Sequence, residues 1–88
     1  MKHFWMSFVN DGVELFGTEC QTRAAAIKEL KDGFRFDYEM SPNVADCNDY
    51  YIEEYLESPS IITIGKREYF KMAMGKRGGV KAVKTKAI

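Results

Sequence analysis

Two cysteines, two prolines and one histidine are all that the 88 residues hold of those types, and each scarcity removes a class of function. Two cysteines cannot staple a disulfide-rich secreted scaffold. Cys20 and Cys47 also lie 27 positions apart with no second Cys or His beside either, which fits neither a zinc pattern nor a Cys-x-x-Cys redox pair. They read as buried, reduced thiols of an intracellular chain, which places the protein in the cytoplasm. His3 is the sole imidazole, next to the start of the chain, and no Ser, Cys or carboxylate constellation surrounds it in sequence. No apolar run approaches the roughly 20 residues that cross a bilayer. The stretch from Met1 to Trp5 meets polar Asn10-Asp11 too early for a signal peptide. The expectation is a protein that is not an enzyme, carries no cofactor and no metal, and does not enter a membrane.

What is present is apolar and aromatic. Hydrophobic residues make up 45% of the chain and aromatics 14%, enough for one thin core but not two. The pattern predicts one α+β domain over 1–75 and a basic C-terminal tail over 76–88. The runs 3–9 and 13–20 flank Asn10-Asp11-Gly12 and read as a β-hairpin. Thr22 then fits a helix N-cap before Arg23-Ala24-Ala25-Ala26-Ile27, with Gly33 as the left-handed C-terminal cap. Phe34, Phe36, Tyr38 and Met40 alternate with polar residues, the signature of a strand with one buried face.

Tyr51, Ile52, Tyr55 and Leu56 fall at helical spacing, with Asp49, Glu53 and Glu57 opposite, so 49–57 reads as a second helix. Ser41-Pro42 can open that helix, or it begins near Asp46. Ile61-Ile62-Thr63-Ile64 and 68–74 read as a second hairpin turned at Gly65-Lys66-Arg67, although 67–74 also has helical composition. The expected fold is therefore an antiparallel sheet of about five strands with two helices, in the order hairpin, helix, strand, helix, hairpin, basic tail. Its core is expected to draw on Phe4, Met6, Phe8, Val13, Leu15, Ile27, Leu30, Phe34, Phe36, Tyr51, Leu56, Ile62 and Ile64. Whether Phe4 or Trp5 faces inward depends on register.

Charge is balanced in sum and skewed in place. Thirteen basic and thirteen acidic residues cancel, yet residues 41–60 hold five acids and no base, and residues 61–88 hold eight bases and one acid. Such asymmetry usually concerns interaction. Two surfaces follow from it. The acidic helix face Asp49, Glu53, Glu54 and Glu57 is the candidate for docking a basic protein partner. The basic end, Lys66, Arg67, Tyr69, Lys71, Lys76, Arg77, Lys81, Lys84 and Lys86, is the candidate for nucleic acid, with cations on phosphates and the aromatic ring on bases.

Other motifs carry less. Gly75-Lys76-Arg77-Gly78-Gly79 lacks the order and the Ser/Thr of a P-loop and reads as a flexible basic loop. Asp37 and Glu39 would share an exposed strand face and be solvated there rather than hold a metal. In size and layout the chain resembles small accessory or regulatory proteins of phages or bacteria. The reading that results is a non-enzymatic binding module acting on a protein partner, with nucleic-acid binding through 66–86 as the alternative. An exposed sheet edge also allows a homodimer.

Overall fold

The computed structural model describes residues 2–85, and in it the Asp-Gly signal closes a hairpin between β1 (Lys2–Asn10) and β2 (Leu15–Cys20). Gly12 takes the positive φ of 90° that the tip requires. The Asp11 carboxylate accepts the backbone N–H of Val13 at 2.8 Å and of Glu14 at 2.6 Å, which holds it below the usual carboxylate range. Helix α1 (Arg23–Met40) starts at Thr22, whose hydroxyl accepts the Ala25 N–H at 3.1 Å. A short helix α2 (Pro42–Cys47) follows, opened by the proline. Then come β3 (Asp49–Glu57), β4 (Ile62–Met74) and β5 (Val80–Thr85). The strands form one fully antiparallel sheet in the order β2-β1-β3-β4-β5.

The expected class and the count of strands and helices agree with this architecture, but three elements differ from expectation. First, α1 runs through Gly33 to Met40, so 34–40 is helix and not strand. Ala26, Leu30 and Phe34 are its buried ladder, at i, i+4 and i+8, with the Tyr38 ring tilted against Phe34 at 5.7 Å. The alternation of Phe34 and Phe36 coincides with two helix faces, one inward and one outward. Second, 49–57 is a strand, not a helix. It is the central strand, with Tyr50 and Ile52 beneath the helices and Tyr51, Glu53 and Tyr55 on the other side. Aromatic and β-branched residues suit a strand packed on both faces.

Third, Gly65-Lys66-Arg67 is not a turn. β4 passes straight through it, and between Glu53↔Arg67 and Tyr55↔Ile64 the register slips by one residue, a β-bulge. The Glu54 carboxylate lies 2.8 Å from where a Cβ at Gly65 would be, so any larger residue there must displace it. The second hairpin instead joins β4 to β5. Gly75 accepts no side chain at its mouth, since a Cβ there would meet the Gly79 carbonyl at 2.9 Å, and Gly78 has φ 82°. Residues 80–85, expected as part of a tail outside the domain, thus form the edge strand of the sheet.

The helices cover one face only. Trp5, Cys20, Ala26, Leu30, Phe34, Ala45, Tyr50, Ile52, Phe70 and Met72 make the core there. Phe4 and Trp5 are both buried, on opposite faces, because the uncovered face has its own aromatic layer. Phe4 stacks on Tyr55 at 5.2 Å, and Phe8, Tyr51 and Tyr69 form a row with spacings of 5.0 and 5.1 Å. Of the expected core, Val13, Leu15, Phe36, Leu56, Ile62 and Ile64 are exposed instead. Val13 sits at a loop tip, Leu15 and the two isoleucines lie on the uncovered face beyond the aromatic layer, and Phe36 projects from the flank of α1.

Candidate functional site

The acidic surface expected at 49–57 does not exist as one face. Strand periodicity places Asp49, Glu53 and Glu57 on the uncovered side and Glu54 on the other. Two of the four are already occupied. Glu53 is buried and accepts Arg67 Nη2 at 3.1 Å and the Tyr55 hydroxyl at 3.2 Å. Glu54 meets His3 Nε2 at 2.8 Å.

The basic set is partly assembled. Arg67 donates to the Tyr69 hydroxyl at 3.0 Å and to Glu53, two bonds that raise its pKa, and it lies 4.8 Å from the centre of the Tyr51 ring. Lys84 points to the helix side and pairs with buried Glu68 at 3.2 Å. Glu68 is also clamped by both arms of Arg23 at 2.8 Å; that bidentate hydrogen bond, with Lys84 assisting against burial, holds its carboxyl down to about 2. Lys66, Lys71, Lys76, Arg77 and Lys81 form no ion pair among the described residues. Four of these lie on the β4–β5 hairpin, Lys76 and Arg77 at its tip and Lys71 and Lys81 on the uncovered side with Tyr69. Lys86 lies outside the described residues.

Catalytic and metal chemistry gains no new candidate. Cys20 is buried, and burial together with the Glu29 and Glu19 carboxylates pushes its thiol up, away from a nucleophilic state. Cys47 is exposed, contrary to the expectation of two buried thiols, and both cysteines are free. Asp37 and Glu39 sit two positions apart on a helix and so diverge, and Asp37 instead accepts Asn48 at 3.1 Å and the Tyr50 hydroxyl at 3.2 Å. Among the described residues no group of three or more metal-ligating side chains converges, and no helix is long and apolar enough to cross a membrane.

What the sequence did not single out is a groove of about 350 Å³ between the β1–β2 hairpin and the helices. Val9, Phe16 and Thr18 form one wall, and Glu29, Gly33, Phe36 and Asp37, at i, i+4, i+7 and i+8 along α1, form the other. Val44 and Asn48 close one end. Phe16, Phe36 and Val44 are 54, 65 and 52% exposed, so the groove is wet on its apolar side. Gly33 leaves the floor bare, with the nearest side-chain atom, from Val9, 3.7 Å from where a Cβ would stand. Its carboxylates are Asp11, Glu29 and Asp37, and among the described residues no lysine or arginine lines it. The signal was present in the sequence as Phe16, Gly33 and Phe36, but it becomes visible only once 34–40 is helix.

A wider opening of about 720 Å³ lies where β4 outruns β3 beyond Phe70, lined by Asp46, Asp49, Lys71 and Met72 among others. No protein-family model, characterised protein or solved structure matches the chain, so the argument rests on these surfaces.

Proposed function

We propose that the protein is a non-enzymatic binding module that acts on a protein partner, and that the partner lies in the groove between β2 and α1. One observation carries this reading: three large apolar side chains, Phe16, Phe36 and Val44, are each more than half exposed around a single concave site. Scattered exposed apolar residues need no explanation, but apolar residues gathered around a depression mark an interaction site. The test is a photo-crosslinking residue placed at Phe36 in cells that make the protein, with one at Arg77 as the comparison. The expected result is a discrete protein adduct from position 36 that the Phe16→Ser variant loses. No adduct at 36, with nucleic acid cross-linked at 77, overturns the reading.

A second reading is favoured by a specific feature. Lys71, Lys76, Arg77 and Lys81 gather on one hairpin without ion-pair partners among the described residues, next to Tyr69. Such a cationic finger suits phosphate contacts on single strands. Against it stand the engagement of Arg67 and Lys84 by buried carboxylates and the packing of Tyr69 into the aromatic row. Anisotropy of labelled DNA and RNA across a salt series decides this reading. Tight binding with a steep salt slope, abolished by Lys76→Glu with Arg77→Glu, supports it; no binding near physiological salt retires it.

A further inference from the structure

We propose, building on the protein-docking reading above, that the groove between β2 and α1 selects a cationic segment anchored by a bulky apolar side chain. Two independent properties of the groove point to this chemistry. The first is its apolar wall. Phe16, Phe36 and Val44 offer an apolar seat that one large side chain would desolvate, and Gly33 leaves the depth for it.

The second is the electrostatics of its rim. None of the three rim carboxylates is ion-paired among the described residues. Asp11 accepts only the backbone N–H groups of Val13 and Glu14. Asp37 accepts only a side-chain amide and a phenol, from Asn48 and Tyr50. Glu29 forms no ion pair among the described residues. Neutral donors orient a carboxylate without cancelling its field, so the rim presents three negative charges around an apolar floor. Lys28, next to Glu29 on α1, bonds to Asp32 at 2.8 Å and acts on Glu29 only through space, without an ion pair. An acidic segment placed here meets like charge at every edge, whereas a lysine- or arginine-flanked one is steered in and held.

The experiment uses the full chain and three short synthetic probes: a phenylalanine flanked by lysines, the same phenylalanine flanked by glutamates, and the lysine peptide with serine in place of phenylalanine. Backbone amide shifts locate binding, and a salt series reports its electrostatic share. The expected result is that the first probe moves the amides of Thr18, Gly33 and Phe36, and that the other two bind at least about fivefold more weakly. Glu29→Lys, at an exposed helix position, should weaken the first probe by roughly three- to fivefold and flatten its salt slope. Gly33→Leu should fill the floor and abolish binding while the helix stays folded by circular dichroism.

Equal binding of the lysine and glutamate probes overturns the charge selection and leaves protein docking standing. So does a cross-linked partner segment at position 36 that has no lysine or arginine. If no probe moves the groove amides and position 36 gives no adduct, both readings fall. If raising the protein's own concentration at physiological salt moves those amides, the occupant is a second copy and the proposal is wrong.

Discussion

At the scale of single residues, Glu68 is the group on which acid stability turns. It is buried, and its charge survives burial only because Arg23 and Lys84 bond to it. The folded carboxyl gives up its proton more readily than the unfolded one, with a value of about 2 against an ordinary 4.5. Its stabilising contribution is therefore complete above 4.5 and disappears as the pH falls toward 2. Because Arg23 and Lys84 are about half exposed, solvent screening limits the contribution to roughly 2 kcal/mol. Urea unfolding between pH 6 and pH 2 should show stability falling across that window, and Glu68→Gln should lower stability at pH 6 and flatten the curve below 4.5. A variant whose acid profile matches the parent's would assign the acid sensitivity to another carboxylate. Gly33 offers a contrasting test. Its φ is not positive, and a Cβ would make only ordinary contact with Val9, so Gly33→Ala should raise stability by about 0.5–1 kcal/mol through helix propensity. The same change narrows the groove, so stability should rise while docking weakens.

At the scale of elements, Phe34 and Phe36 separate helix from strand by experiment. On a strand with one buried face the two would be equivalent. On α1, Phe34 is fully buried and touches Tyr50 at 5.6 Å, while Phe36 is exposed. Phe34→Ala should cost about 3–5 kcal/mol in urea unfolding, and Phe36→Ala less than about 0.5 kcal/mol. Equal losses would return 34–40 to the sheet. The same pair shows why part of the fold was legible and part was not. The hairpin at Asp11-Gly12 and the start at Thr22 were readable because the turn and the cap are satisfied by neighbours two or three residues away in sequence. Residues 34–40 and 49–57 were misread because their pattern fits two periods, and only long-range packing chooses between them. Tyr50 and Phe34 settle both at once, each burying the other. Gly65 is ambiguous for the same reason: glycine inside an apolar run signals a bulge as readily as a reversal, and the deciding contact, with Glu54, comes from another strand. Gly65→Ala should destabilise the protein, since the Glu54 carboxylate must move away and its contact with His3 goes with it. An unchanged melting temperature would show that the carboxylate gives way freely.

At the scale of the whole molecule, the mispredicted elements redistribute the charge without changing its sum. The acids gathered at 49–57 in sequence are split between two sheet faces, and two of them are engaged by Arg67 and His3, so the acidic face expected there is not formed and the groove beside α1 gathers carboxylates without ion pairs among the described residues. Positive charge without ion pairs among the described residues gathers on the β4–β5 hairpin, whose tip is tied to α1 by Arg35, which donates to the Gly78 carbonyl at 3.2 Å. A chain of zero net charge with two such ends is its own weak electrostatic complement. The contact it permits joins different patches on the two copies, so it adds molecules without closing into a dimer. It is also exposed, and an exposed pairing fades once the screening length falls to about 8–10 Å near 0.1–0.15 M salt. Sedimentation in dilute buffer should therefore give an average mass that climbs with concentration above the 10.1 kDa of the single chain, and that returns to it near physiological salt. Reversing Lys76 and Arg77 to Glu should abolish the low-salt association and leave the melting temperature unchanged, because both side chains are exposed and neither is ion-paired among the described residues. A dimer of fixed mass that resists salt would defeat this account, and would direct attention to the free edge of β2, where Leu15 and Phe16 are exposed without a lysine to guard the strand.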